Sequence, residues 1–279
     1  MNWEKAKTVL IVALLITDLF LAGVLYADRM RVAPAENAAA FHRETKELLK
    51  DAGIALEAEI PKDGSSLPIL DVAYETDTTD NLNQRFFQGK GRVAQDDDQR
   101  LVLRTARGQL KVLDERRLIY EADAASNAFL NEKEAEKKAL DFLAERGFPT
   151  DDIALFYSEA AGNRRKLMFT KTYKNNYVES AYTEIDLVGD KVVRMDRLWI
   201  DVIDETAERE PLPMATQSLL RLLSHDSLRG RTIKKIDPCY YFNPEEQGTV
   251  ENLSHGTRGY ATVAWRMELD GGEELVLLH

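Results

Sequence analysis

The side chains best suited to catalysis are sparse in this sequence. The four histidines, His42, His225, His255 and His279, lie far apart, and none falls in an HExxH or Cys/His spacing that would hold zinc. No GxSxG turn, P-loop, dinucleotide glycine fingerprint or CxxC pair is present. We therefore identify no catalytic, metal-binding or cofactor-binding residue, and we expect a protein that is not an enzyme.

Two short segments share residues with ligand-binding loops but lack the spacing that binding needs. The segment 89–92, Gly-Lys-Gly-Arg, resembles part of a phosphate-binding loop, yet the full glycine spacing and a following helix are missing. The run 96–98 is three aspartates, but a calcium loop needs oxygen ligands at alternate positions and a glycine turn. Both segments are interpreted as turns.

Asp18 is the side chain with the clearest chemical consequence, because it stands near the middle of an apolar run. Residues 8–27 are otherwise almost wholly apolar, and as a helix they would span about 30 Å, the thickness of the bilayer hydrocarbon. The twelve Leu, Ile, Val and Phe residues of the run favour insertion by about 4 to 7 kcal/mol, whereas a central Asp costs about 2.5 to 3.5 kcal/mol. We predict a transmembrane helix over residues 8–27.

A helix that served only as an anchor would insert more favourably without Asp18. Intramembrane carboxyls usually face a partner helix, where they can be hydrogen-bonded. Spacings of three and four residues place one stripe on a common face, and we predict that it contacts a partner in the membrane. The stripe consists of Leu14, Thr17, Asp18, Leu21 and Leu25. The alternative is a polar residue tolerated in a simple anchor.

The flanks of the apolar run bear on its orientation and processing. The run is longer than a usual signal-peptide core, and no small-x-small cleavage site follows it directly, which favours an anchor over a cleaved signal. Basic residues on the two sides nearly balance. Because only seven residues precede the helix, we expect residues 1–7 in the cytoplasm and the bulk of the chain outside the cell membrane.

Composition narrows the classes of partner. The net charge is −11, so that a nucleic-acid backbone would be repelled and no nucleic-acid partner is expected. The single cysteine, Cys239, excludes an intrachain disulfide and a thiolate metal cluster. It is expected to be a buried small apolar residue.

The pattern after residue 28 predicts an α+β fold built of antiparallel sheets, with two units that each pack a helix on a sheet. Residues 28–125 are a helix followed by short strands, at 57–61, 69–74, 91–93, 100–105 and 109–112. Residues 126–200 form a unit in which a helix precedes strands at 153–158, 166–173, 180–188 and 191–200. Asn131 and Glu134 form a capping box for this helix, and Gly147 ends it.

The same order of elements recurs towards the carboxyl terminus. Residues 201–213 are acidic and flanked by proline, and they are predicted to be a linker. Residues 214–279 then form the second unit, with a short helix at 214–223 before its strands. The strands are predicted at 232–237, 240–243, 259–269 and 273–278.

These segments together resemble the YycH/YycI family, and the YycI type in particular. The opening, Met-Asn-Trp-Glu-Lys-Ala-Lys-Thr, resembles the short cytoplasmic start of those proteins, and 15–21 resembles their anchor. Residues 48–61, the unit 131–199 and the ending from Ile233 to Arg266 also fit. The Asp within the membrane run, the acidic segment 201–213 and the stretch 95–122 depart from the pattern.

The resemblance implies a single-pass regulator of a WalK-type sensor histidine kinase that governs cell-wall homeostasis. Such proteins associate in the membrane with the kinase and with a sister YycH-like protein, partly through transmembrane helices. Two other classes stay open. One is a membrane-tethered inhibitor or ligand-binding module, which would work without its anchor. The other is a wall-directed enzyme, which would need clustered carboxylates or a metal.

Overall fold

A computed structural model describes residues 35–62, 64–96, 100–124, 126–244, 258–271 and 273–277. The predicted transmembrane helix, residues 8–27, lies outside these ranges. Among the described helices, none has the length and apolar character needed to cross a bilayer. The chain divides into two compact units between Leu48 and Leu49. Of the first unit, only residues 35–48 of helix α1 (Ala35–Asp51) are described.

The described residues of the second unit contain three further α-helices, which are α2 (Thr79–Phe87), α3 (Glu132–Glu145) and α4 (Ala215–Arg221). Two short 3-10 helices, Leu222–Ser224 and Asp226–Leu228, follow α4. Its first seven strands are β1 (Ala55–Leu56), β2 (Ser66–Tyr74), β3 (Arg92–Gln95), β4 (Leu101–Thr105), β5 (Gly108–Leu113), β6 (Arg117–Ala122) and β7 (Ile153–Ala161). The others are β8 (Arg164–Tyr173), β9 (Asn176–Val188), β10 (Lys191–Leu198), β11 (Ile200–Pro211), β12 (Thr232–Tyr241), β13 (Arg258–Leu269) and β14 (Glu274–Leu277).

Helix α3 begins and ends as its sequence predicts. The Asn131 side chain accepts a hydrogen bond from the Glu134 amide, and the Glu134 carboxylate accepts one from the Asn131 amide. Gly147 follows the helix with φ +73°, a left-handed conformation that favours glycine. The apolar stripe of α3 packs towards β8 and β10. The predicted helix and four antiparallel strands of residues 126–200 are therefore confirmed, with β9 beginning four residues earlier than expected.

The sheet does not stop at these four strands. Antiparallel pairs run in the order β7-β8-β9-β10-β6-β5-β4-β3, so that the strands before α3 extend the sheet. The first part of β9 also pairs in parallel with β12, which continues through β13 to β2 and β11. All fourteen strands thus belong to one connected, largely antiparallel sheet. The α+β class is confirmed, whereas the expectation of two units with separate sheets is corrected.

The predicted linker at 201–213 was wrong. Its residues form most of β11, which pairs antiparallel with β2 along its length. Ile200 is buried, while the acidic side chains of the strand are at least partly solvent-exposed. An acidic composition is compatible with an edge strand because charge on an edge discourages unwanted pairing.

Other predictions from the local pattern also needed correction. The strand predicted at 57–61 was wrong, since the short strand β1 lies just before that range, at Ala55–Leu56, and pairs in parallel with β12. The two strands predicted between 232 and 243 form one continuous strand through Pro238. Helix α2 and strand β6 were not predicted. Cys239 is buried as expected, and burial raises the pKa of its thiol.

Candidate functional site

The predicted membrane contact stripe, Leu14, Thr17, Asp18, Leu21 and Leu25, lies outside the described residues. The charged and polar clusters of the described residues lie in the second unit. There the sheet that carries α3 has one face covered by the helix, while the opposite face carries a cluster of charged and polar side chains. We call the latter the charged face, which is built by Arg117, Lys166, Tyr182, Glu184, Arg194 and Asp196.

Asp196 is the centre of the charged face. Its two carboxylate oxygens accept hydrogen bonds from Arg117 Nε and Nη2, each at 2.8 Å, and Arg194 Nη2 donates a further bond at 2.7 Å. Burial alone would raise the pKa of Asp196, but these two arginines outweigh it, so that the pKa is lowered. The carboxylate therefore stays ionised and cannot supply a proton.

The neighbouring side chains of the charged face are also held by hydrogen bonds or ion pairs. Tyr182 donates to Asp196 at 3.3 Å, and burial beside that carboxylate raises the pKa of the phenol to about 12. Glu184 binds Arg194 and also lies 3.2 Å from Lys166 Nζ. The hydrogen bond to Asp196 raises the pKa of the Arg117 guanidinium. Because each group has a fixed partner, the charged face is suited to holding strands together or to contacting another protein.

A cleft of 510 Å³ borders the charged face between the ends of β7, β8 and β9. Its charged lining residues are the cations Arg164, Arg165, Lys166 and Arg194 and the acids Glu121, Glu159 and Asp186. Burial, and then repulsion from Glu184, raise the pKa of Asp186. Within the described ranges, no group of three or more His, Cys, Asp or Glu side chains is placed to hold a metal ion.

A second polar feature is buried where the two apolar cores meet. The Arg197 guanidinium lies between two aromatic rings, 4.5 Å from the Phe148 centroid and 4.2 Å from that of Trp199. Phe148 belongs to the core beneath α3, and Trp199 belongs to the core formed around β2, β12 and β13. Arg197 therefore connects the two cores.

The stacking continues on both sides of Arg197. The Arg85 guanidinium of α2 lies 3.9 Å from the Phe148 ring centroid, and Lys171 Nζ lies 5.5 Å from that of Trp199. We call this alternation of Arg85, Phe148, Arg197, Trp199 and Lys171 the cation–aromatic stack. Each cation has a carboxylate partner, which is Asp77 for Arg85, Glu75 for Arg197 and Asp152 for Lys171.

Arg266 and Glu179 form another buried ion pair, in the strands that join the two parts of the sheet. Arg266 Nε lies 2.9 Å from Glu179 Oε1, and its guanidinium is 4.1 Å from the Tyr177 ring centroid. Both residues are buried. Burial raises the pKa of Glu179, and Arg266 opposes this rise without cancelling it.

Sequence reasoning did not find these clusters. Arg197 and Glu75 are 122 positions apart, and Arg117 and Asp196 are 79 apart, so that only the strand pairing brings them together. The one local signal is alternation, because Glu184 and Asp186 alternate with buried Ile185 and Leu187 along β9.

This chain is similar to a known protein family in sequence and to solved structures in fold. The family model described as YycI protein matches residues 36–273, which is most of the chain. The chain belongs to the YycI family. No curated protein matches it.

Solved structures share the fold of this YycI-family chain at low identity. YycH from Bacillus subtilis superposes with a TM-score of 0.57 and 15% identity over 78% of this chain. An uncharacterized protein from Eubacterium rectale ATCC 33656 gives a TM-score of 0.52 and 9% identity, covering 81% of this chain and 86% of its own. This chain spans only 53% of the Bacillus subtilis YycH chain, and at 15% identity the likeness concerns the fold alone.

Proposed function

We propose that this YycI-family chain is a membrane-anchored accessory protein that binds and modulates a WalK-type sensor histidine kinase of a cell-wall-homeostasis system. The observation that carries the proposal is the family match over residues 36–273, joined to a fold shared with YycH. In this proposal the bulk of the chain lies outside the cell membrane. Its partners are the kinase and a YycH-like sister protein.

The chemistry of the described residues supports a regulatory role over an enzymatic one. The adjacent carboxylates Glu184 and Asp196 both bind Arg194, which removes them as a general acid and base. The charged groups at the centre of the charged face are likewise paired with one another. Such a surface suits binding and orientation more than proton transfer.

The transmembrane helix is proposed as one route of regulation. An Asp in the middle of the apolar run 8–27 is stabilised when it hydrogen-bonds to a polar group of a neighbouring helix. The kinase helices are the neighbours in this proposal. The contact would therefore depend on Asp18 more than on residues of the opposite helix face.

Replacing Asp18 with leucine tests this route. We expect the Asp18→Leu protein to insert in the membrane as well as the wild type, since the substitution removes a cost of about 2.5 to 3.5 kcal/mol. Crosslinking between the two proteins' membrane helices should fall about three- to fifteenfold, which corresponds to one lost interhelical hydrogen bond. The measurement is the yield of site-specific crosslinks in membranes that hold both proteins.

Two further variants serve as controls. Asp18→Asn keeps a hydrogen-bonding side chain and should retain most of the crosslinking. Ile16→Ala changes the opposite face of the predicted helix and should leave the yield unchanged. Equal crosslinking by wild type and Asp18→Leu would contradict a role for this carboxyl.

A further inference from the structure

The edge of the sheet formed by β3 and β4 carries a second cleft, of 1,100 Å³, beside the end of α2. Its apolar lining includes Phe87 and Val93, and the Val93 side chain is 62% exposed. Its titratable lining residues are all cations, which are Lys90, Arg92, Arg104 and Arg107. We call this site the basic cleft. It concentrates positive charge on a chain whose net charge is −11.

The four cations are available for a ligand. All four residues are exposed, and in the part of the chain that the structure describes none of their side chains takes part in an ion pair or hydrogen bond. Arg117, Arg194, Arg197 and Arg266, in contrast, are each paired with a carboxylate. The basic cleft is thus a group of cations that have no ion-pair partner among the described residues.

The pairing of β3 with β4 places two of these cations side by side, and their repulsion destabilises the strand pair when no ligand is bound. Arg92 of β3 stands directly opposite Arg104 of β4, which places their Cβ atoms about 4.5 to 5.5 Å apart. Like charges in this position destabilise a strand pair. An anion that binds both guanidinium groups would remove the repulsion.

Nearby acidic residues do not neutralise this pair. Glu121 and Asp123 share a neighbouring cleft with Arg104, but Glu121 is separated from it by Gln109, which donates to the Glu121 carboxylate at 2.6 Å. Asp96 follows the far end of β3, four residues or about 13 Å along the strand from Arg92.

The turn between Lys90 and Arg92 is held in place by Asn83 of α2. Its side-chain amide donates to the Gly91 carbonyl at 2.9 Å and accepts from the Gly91 amide at 2.8 Å. A Cβ at position 91 would lie 2.6 Å from the Asn83 Oδ1 atom, so the contact requires glycine. Since the Gly91 amide is already bonded, ligand recognition here falls to the side chains and does not follow the backbone cradle of a phosphate loop.

We propose that the basic cleft binds a phosphate-bearing anion. Arginine pairs suit this chemistry because a guanidinium can donate two parallel hydrogen bonds to phosphate oxygens, and the lysine adds a point charge. The phosphate could belong to a free anion or to a lipid headgroup, and in the second case Phe87 and Val93 would contact the apolar part of the ligand. The proposal concerns the purified chain alone and does not depend on a kinase partner.

The test uses the full-length chain in uncharged detergent micelles and follows its thermal unfolding midpoint. Sodium phosphate is titrated against sodium chloride at equal ionic strength, and dihexanoyl phosphatidylglycerol is titrated separately. We expect phosphate or the lipid to raise the midpoint of the wild type, because a ligand that binds the folded state stabilises it. The Arg92→Gln/Arg104→Gln variant should bind at least about tenfold more weakly.

The variant also separates binding from folding. In chloride, its midpoint should equal or exceed that of the wild type, because a repulsive pair has been removed. Lys133→Gln/Lys137→Gln on α3 changes the net charge equally and should keep the full response. A response to phosphate alone assigns a free anion, and a response to the lipid alone assigns a headgroup.

Three results would overturn the proposal. They are an equal response in wild type and the arginine variant, no response to either probe, and tighter binding of a poly-glutamate peptide than of both phosphate probes. Failure of the kinase pull-down described below would leave this result unaffected, so that the two proposals are tested separately.

Discussion

Replacing Arg197 with alanine is expected to lower the free energy of unfolding by about 3 to 5 kcal/mol. The side chain is 1% exposed and lies between Phe148 and Trp199. Its Nε donates to Glu75 and its Nη1 donates to Thr183, both at 2.8 Å. The substitution removes the contacts of Arg197 with both cores and leaves the Glu75 carboxylate without its cation.

The charge of Arg197 alone does not explain the expected loss of stability. Burial lowers the pKa of the Arg197 guanidinium, which shows that desolvation opposes the pairing with Glu75. Arg197→Met should therefore be milder than Arg197→Ala, because methionine keeps much of the apolar volume between the rings. Arg197→Lys keeps the charge but cannot reproduce the planar stacking.

Urea unfolding of the full-length chain, followed by circular dichroism, measures these differences. Arg258→Ala is the matched control, because Arg258 pairs with Asp71 at an exposed position and its loss should change stability little. If Arg197→Ala unfolds at the same urea concentration as Arg258→Ala, the cation–aromatic stack does not join the cores energetically.

Replacing Arg266 with methionine is expected to cost about 3 to 5 kcal/mol near neutral pH, and the cost should shrink as the pH falls. Arg266 is 1% exposed and pairs with buried Glu179. The variant leaves that carboxylate in an apolar environment without a cation. Its pKa, already raised by burial, will rise further.

The sign of the pH dependence follows from proton linkage. The unfolded chain has an ordinary glutamate pKa of about 4.3, whereas the folded variant holds its proton at higher pH. Between these two pKa values the folded state binds more protons, so that stability falls as the pH rises through the window. Below the window Glu179 is neutral in both states, and its unpaired charge no longer destabilises the fold.

Unfolding measured at about pH 7.5 and about pH 5 tests this behaviour. The double variant Arg266→Met/Glu179→Gln should regain much of the lost stability and lose the added pH dependence, since no unpaired charge remains. Arg231→Met is the control, because its partners Asp270 and Glu273 are at the surface. A cost for Arg266→Met that is the same at both pH values would contradict this account.

Local sequence signals predicted the elements whose ends are specified by a few residues. The Asn131 and Glu134 capping box and Gly147 defined α3 because each satisfies a local backbone requirement. Helix α2 was missed although Thr78 caps it, since the segment is short and only Leu82 and Phe86 are buried. Strand β11 was missed because acidic composition resembles a linker when the pairing strand is unknown.

The clusters of the second unit needed long-range pairing that one sequence does not reveal. The segment 89–92 contains the cations Lys90 and Arg92. No local sequence signal, however, predicted that Arg104 lies opposite Arg92 or that Arg107 lines the same cleft. The same is true of Arg197, whose partners come from the residue after β2, from β9 and from the segment that follows α3. The membrane contact stripe, in contrast, was derived from sequence periodicity alone and stays a prediction.

The measurement that tests the central claim most directly is a pull-down from membranes of the native host. Full-length protein is compared with a form in which residues 8–27 are replaced by an unrelated apolar helix. The proposed function predicts that a sensor histidine kinase is recovered with the native helix and is strongly reduced with the replacement. Recovery of no histidine kinase with either form would contradict the proposed regulatory role.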